Sequence, residues 1–117
     1  MITKRKLVSL LLLSYFSVTT VLADSVTDMC LIAKVPKNIC ECATDKLKDS
    51  IDKEVFELYE RVGEKYLKGL ESGMSNSDAW DAAGNDVATE MGTSYFAILP
   101  KTNEAGKAHN TAMKACM

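Results

Sequence analysis

The chain has 117 residues, of which 47% are hydrophobic and 26% are charged, and its formal net charge is −2. This length suits a single domain with its own core, but one small enough to gain stability from covalent cross-links. Basic and acidic side chains are interspersed and do not form the clustered cationic surface that nucleic acids or anionic membranes attract. We therefore expect neither of these as a partner.

The N-terminus is organised like a secretory signal peptide. Basic side chains at positions 4–6 precede a nearly unbroken apolar run that ends at the small residue Ala23. This run is shorter than the roughly 20 residues needed to span a bilayer, so we expect cleavage after Ala23 and not a membrane anchor. The chain is thus divided into a cleaved signal peptide, 1–23, and one helical domain, 24–117.

The mature chain keeps eleven basic and sixteen acidic side chains, so its surface is acidic. Without its signal peptide it has no segment that would hold it in a membrane. We expect an exported protein located in a bacterial periplasm, with secretion into the medium as the alternative.

Four cysteines are the main covalent feature of the mature chain: Cys30, Cys40, Cys42 and Cys116. Thiols of exported proteins are normally paired, so we expect two structural disulfides. Cys40 and Cys42 point about 200° apart on a helix and are not expected to pair with each other. We predict Cys30 with Cys42 and Cys40 with Cys116, because 30 and 42 are equidistant from a turn at Pro36. The swapped pairing is the alternative, since bridge reach permits both.

The apolar residues of the first half recur with helical spacing. They predict a short first helix that Pro36 ends, a second helix that starts near Asn38, and a long third helix that stops at Gly73. No stretch alternates with a period of two for long enough to predict a sheet.

The second half is also predicted to be helical. A fourth helix starts at the capping residues 75–78 and ends at Gly92, and Gly84 marks a point at which it can be interrupted. The segment from Tyr95 to Leu99 can be either a buried helical turn or a short extended piece, since periodicity does not separate the two at this length. Pro100 is expected to close it in either case, before a final helix that Thr102 or Asn103 would cap. The predicted fold class is all-α, a small disulfide-stapled bundle of four or five helices.

Two constellations could carry chemistry. Cys40 and Cys42 could form a redox-active dithiol at a helix N-terminus, where a thiol pKa is lowered. His109, Met113 and Met117 follow at i, i+4 and i+8 on one helical face and could bind copper through imidazole and thioether groups. Both are alternatives to structural roles. Two disulfides would account for every cysteine, and methionine residues at helical spacing usually fill a core.

Other chemistry has no motif in the sequence. The chain contains a single histidine, and its sequence has no nucleophile elbow, phosphate-binding loop or zinc-binding cysteine pair. We therefore expect no enzymatic activity and no cofactor. The leading hypothesis is a non-enzymatic domain that binds a protein partner of unknown identity. Tyr95 and Phe96 are the candidate contact residues, and Trp80 is expected in the core.

Overall fold

The computed structural model describes residues 25–117, so the predicted signal peptide lies outside the described residues. In this part of the chain 84% of the residues are helical and no strand occurs. The five helices are α1 (Ser25–Ile32), α2 (Lys37–Ser50), α3 (Lys53–Glu71), α4 (Asn76–Glu90) and α5 (Tyr95–Cys116). The predicted all-α bundle with two disulfides is confirmed.

Local sequence sets the ends of the helices. The Ser75 Oγ accepts a hydrogen bond from the backbone N–H of Asp78 at 3.1 Å, as an N-cap does for α4. Gly73 and Gly92 follow α3 and α4 with φ of 97° and 72°. This left-handed conformation favours glycine, so both helices end where the sequence predicts.

Helix α3 is the centre of the bundle and contacts each of the other four helices. The most extensive helix pairs are α3 with α4 and α2 with α5, and α1 lies against α2 and α3. The apolar face of α3 contributes to two core clusters of buried side chains. The first contains Val26, Leu47, Val55, Phe56, Tyr59 and Ala105, and the second contains Leu58, Val62, Ala83, Val87, Ala88 and Ile98. No helix among residues 25–117 is long and apolar enough to cross a membrane.

The short helix α1 is held by polar contacts as well as by packing. The Ser25 hydroxyl donates a hydrogen bond to the carbonyl oxygen of Glu60 at 2.9 Å. The hydroxyls of Thr27 and Thr44 lie 2.7 Å apart. A helix of eight residues is too short to be stable alone, so these contacts and the disulfide of Cys30 fix it to α2 and α3.

The disulfide pairing differs from the predicted one. Cys30 is joined to Cys40 and Cys42 to Cys116, with Cα–Cα distances of 5.6 and 6.1 Å. Cys40 is buried on the side of α2 that faces α1, and the rotation of about 200° between positions 40 and 42 turns Cys42 toward α5. The predicted pairing was based on the equal sequence distance of Cys30 and Cys42 from Pro36 and did not take this rotation into account. No cysteine among residues 25–117 is free.

The prediction that Pro100 closes a segment was wrong. Helix α5 starts at Tyr95 and continues through Pro100, and neither Thr102 nor Asn103 caps it. Ser94 is the cap, since its Oγ accepts from the N–H of Ala97 at 3.2 Å. Pro100 lies near the start of the helix and has no backbone N–H to donate. The carbonyl that this missing hydrogen bond leaves open belongs to the exposed first turn, where water can solvate it.

Gly84 does not interrupt α4, which is continuous from Asn76 to Glu90. The ring of Tyr95 packs directly over Gly84, and a Cβ at that position would lie 2.8 Å from the Tyr95 Cδ1. The glycine therefore permits the close approach of the first turn of α5 to α4.

Candidate functional site

The most distinctive concave surface is a cleft of about 410 Å³ between α1, α3, α4 and α5. Its lining combines aromatic rings, sulfur-containing side chains and small polar groups. We call it the His109 cleft, and it is lined by Met29, Cys30, Ala33, Tyr59, Tyr66, Asn76, Ser77, Trp80, His109, Asn110 and Met113. None of these residues carries a formal charge except His109 when it is protonated.

His109 and Tyr59 form a buried polar pair in this cleft. The Tyr59 hydroxyl lies 2.9 Å from the His109 Nδ1, and their rings meet edge to face with centroids 5.6 Å apart. His109 is only 3% exposed. Its Nε2 is buried and has no hydrogen-bond partner among the described residues. Most buried polar atoms in proteins are hydrogen-bonded, so this nitrogen is unusual.

Burial controls the protonation of both groups. It lowers the pKa of His109 below its ordinary value, because a charged imidazolium would lose its hydration. It raises the pKa of Tyr59 to about 12, with a smaller contribution from Tyr66. At neutral pH both side chains are therefore uncharged, and the pair can donate and accept hydrogen bonds but carries no charge.

Trp80 joins the two polar residues to the aromatic wall of the cleft. Its ring meets that of Tyr66 edge to face at 5.3 Å and that of Tyr59 at 6.2 Å. It is half-buried and packs against both core clusters. The expected core role of Trp80 is thus met in part, because the residue packs against both clusters and also lines the cleft.

Sulfur atoms form another part of the wall. The Cys30 Sγ, which belongs to the disulfide with Cys40, lies 3.4 Å from the Met113 Sδ. Met29 packs against Gly63 of α3, where a Cβ would lie 2.5 Å from the Met29 Cε. The combination of thioethers with aromatic rings gives a polarisable, largely apolar surface.

The residues of the copper alternative are only partly brought together. His109 and Met113 both line the cleft, but Met117 does not and is 78% exposed. No group of three histidine, cysteine, aspartate or glutamate side chains among residues 25–117 is placed to hold a metal ion. Cys116 is joined to Cys42 and is not a free thiolate ligand.

The residues of the redox alternative are separated by the observed pairing. Cys40 is in one disulfide and Cys42 is in the other. Cys30 and Cys40 are buried. A dithiol exchange between Cys40 and Cys42 would therefore require two disulfides to open.

The two candidate contact residues differ in their surroundings. Tyr95 is half-buried, and its hydroxyl donates a hydrogen bond to the Asp81 carboxylate at 3.0 Å. Phe96 is 81% exposed. Tyr95 thus anchors the first turn of α5, and Phe96 is the side chain that this turn presents to solvent.

No known protein family matches the chain, and no curated protein or solved structure matches it either. What can be concluded about function therefore depends on the geometry of the described residues.

The sequence analysis did not predict the Tyr59–His109 pair and considered His109 only as a candidate copper ligand. The two positions are 50 residues apart, and only the packing of α3 against α5 brings them together. A usable signal was present, since His109 lies on the helical face that also carries Ala105 and Ala112, both buried. A histidine in the middle of such a face needs a hydrogen-bonding partner from another helix.

Proposed function

We propose that the protein is an exported, non-enzymatic helical domain that acts by binding a protein partner through the surface around Phe96. The observation that carries this proposal is the 81% exposure of a phenylalanine on a rigidly held helical turn. Aromatic side chains are frequent anchors of protein interfaces because they bury a large area with few rotatable bonds.

The rigidity of this turn supports the proposal. Ser94 caps α5, and Tyr95 is fixed by its hydrogen bond to Asp81 and by its packing over Gly84. Phe96 is therefore presented by an ordered backbone, which lowers the entropy lost on binding. Met91, at the other end of the same α4–α5 turn, is a second exposed apolar side chain, with 48% exposure.

The cellular location is part of the same proposal. Two disulfides and the absence of a free cysteine among the described residues are typical of an oxidising compartment. The apolar sequence before Ala23 is typical of a signal peptide. Together they favour export, with a bacterial periplasm as the expected location and secretion as the alternative.

The geometry favours this role over the thiol-redox and copper alternatives. The redox alternative needs an accessible dithiol, whereas Cys40 and Cys42 belong to separate disulfides. The copper alternative needs Met117 beside His109 and Met113, whereas Met117 lies outside the cleft that contains the other two.

Site-specific photo-cross-linking in the native organism tests the proposal. A benzophenone amino acid replaces Phe96 in one protein and Lys107 in another. Lys107 is exposed and lies about three turns along α5, on nearly the same face, so it is a matched control position. We expect a discrete adduct from position 96 and none from position 107. Equal labelling from both positions, or no adduct from position 96, would contradict the proposed surface.

The variant Phe96→Ala adds a second readout. Because Phe96 is exposed, the variant should keep the melting temperature of the wild type. The purified partner found by cross-linking should nevertheless bind it at least tenfold more weakly, as for an interface anchor. An adduct with twice the mass of the chain would identify the partner as a second copy.

A further inference from the structure

We propose that the His109 cleft is a binding site for a small, planar, uncharged molecule that carries a carbonyl or similar hydrogen-bond acceptor. This site is formed by α1, α3, α4 and α5 and is independent of the Phe96 surface. The ligand class follows from the direction of the available hydrogen bond, the lack of charge and the aromatic wall.

The tautomer of His109 decides which kind of group the ligand must offer. If the Tyr59 hydroxyl donates to Nδ1, its single proton is used and only the Nε2–H is left without a partner. If Nδ1–H donates instead, both the Tyr59 O–H and the Nε2 lone pair lack partners. The first arrangement leaves fewer buried polar groups unsatisfied and is therefore favoured. The open position is a donor, and the matching ligand group is an acceptor.

The lining of the cleft favours an uncharged ligand. Its polar side chains are amides, hydroxyls and the imidazole of His109, whose pKa is lowered by burial. Four other clefts in this part of the chain each include at least one lysine, aspartate or glutamate. A charged ligand would lose its hydration in the His109 cleft without gaining an opposite charge.

The shape and size of the cleft favour a ring system. Its volume of about 410 Å³ falls within the range of small-molecule sites. Tyr66 and Trp80 offer aromatic surface, and Asn76, Ser77 and Asn110 are exposed at the mouth. Met29 and Met113 also line the cleft, and their unbranched side chains can change rotamer to fit a ligand.

A pair of probes that differ in one atom tests the proposal. Acetophenone has a carbonyl oxygen where α-methylstyrene has a methylene group, and the two have nearly the same shape. Each is titrated into ¹⁵N-labelled, oxidised protein while the indole N–H signal of Trp80 is followed by NMR. Trp80 is the only tryptophan of the chain, so its signal needs no further assignment.

We expect both probes to shift the Trp80 signal saturably, with acetophenone binding roughly three- to tenfold more tightly because it accepts one more hydrogen bond. The preference should disappear in His109→Leu and remain in Phe96→Ala, which alters only the other surface. Equal affinity of the two probes for the wild type would overturn the proposal, and so would the absence of saturable shifts.

Two further measurements keep the test decisive if His109→Leu does not fold. In the wild type, acetophenone should shift the ¹⁵Nε2 resonance of His109, and α-methylstyrene should leave it almost unchanged. In Tyr59→Phe, Nδ1 no longer has its donor and the tautomer is no longer fixed, so the preference for acetophenone should be reduced. An unchanged Nε2 resonance with acetophenone would contradict the proposed contact.

Discussion

His109 is buried beside Tyr59 at the junction of α3 and α5, and its environment favours the neutral imidazole. Burial lowers its pKa because the charged imidazolium would lose its hydration. In the unfolded chain, by contrast, the pKa of this histidine is near the ordinary value of about 6.5. The difference links the protonation of one residue to the stability of the fold.

We predict that the free energy of unfolding falls as the pH is lowered below about 6.5, by at most about 1.4 kcal/mol per pH unit. The reason is that the unfolded state binds a proton that the folded state does not bind until its lower pKa is reached. Above about pH 6.5 both states are neutral and this contribution to the pH dependence vanishes. Urea denaturation between pH 5 and 7.5 measures the effect.

The matched variant for this measurement is His109→Leu, which should be almost independent of pH in this range. His109 is the only histidine of the chain, so no other imidazole contributes. Parallel curves for the wild type and the variant between pH 5 and 7 would show that His109 does not titrate as described.

At the scale of the helices, two glycines differ in whether packing requires them. Gly84 lies under the ring of Tyr95, whereas a Cβ at Gly106 in α5 would meet nothing within 4 Å. Both residues are inside helices, where alanine is intrinsically favoured over glycine by about 1 kcal/mol. The two positions therefore form an internal comparison.

We expect Gly106→Ala to raise the free energy of unfolding by about 0.5–1 kcal/mol and Gly84→Ala to lower it by about 1–2 kcal/mol, because the new Cβ collides with Tyr95. Chemical denaturation of both variants checks the difference. In a Tyr95→Ala background, Gly84→Ala should become neutral or stabilising. If it remains destabilising there, Tyr95 is not the cause.

Helix boundaries show which parts of the fold the sequence could predict. The ends of α3 and α4 follow from residues next to them, namely Ser75, Gly73 and Gly92. Pro100 was misjudged because its local effect depends on its distance from the helix start, and that start is set by Ser94. Gly84 was misjudged because its role depends on a residue of another helix.

At the scale of the whole molecule, the two disulfides close loops of very different length. The bridge of Cys30 with Cys40 spans a sequence separation of 10, and that of Cys42 with Cys116 spans 74. Loop closure restricts the unfolded chain more strongly as the loop grows. The longer bridge also joins α2 to the end of α5, the two helices that are adjacent in space but distant in sequence.

We predict that Cys42→Ala with Cys116→Ala lowers the free energy of unfolding by about 4.5 kcal/mol, the chain-entropy value for a loop of 74 residues. The corresponding value for the short bridge is about 2.7 kcal/mol. Because Cys30 and Cys40 are buried, their removal also leaves a cavity, and the measured loss should exceed that value. Urea denaturation of the two double variants provides the test. If removal of the long bridge lowers the free energy of unfolding by less than about 2 kcal/mol, the entropic account is contradicted.

The fold class and the presence of both disulfides could be predicted because they depend on residue type and helical period. The pairing could not be decided by spacing, since Cys40 and Cys42 are at nearly the same sequence distance from Cys30 and the rotation of α2 turns only Cys40 toward it. The His109 cleft was not predictable as a site because its walls come from four helices. Phe96 was proposed as a contact residue, and its exposure agrees with that proposal without testing it.

The order of the disulfides has a consequence for how the chain becomes oxidised. The cysteines pair consecutively, the first with the second and the third with the fourth. A chain that emerges N-terminus first into an oxidising medium can close Cys30 with Cys40 as soon as both are outside. Cys42 then has one free thiol left to meet, that of Cys116, and its only other route is exchange with the bond that has already closed.

The order of emergence therefore favours the native bond of Cys30 with Cys40 over its crossed alternative, because Cys40 is available to Cys30 before Cys42 is. The shorter loop should also close first in the full-length reduced protein, so we expect alkylation during air oxidation to trap a species with the bond between Cys30 and Cys40 closed and Cys42 and Cys116 free. A dominant trapped species with Cys30 joined to Cys42 would instead indicate that the chain reaches its native state only by reshuffling.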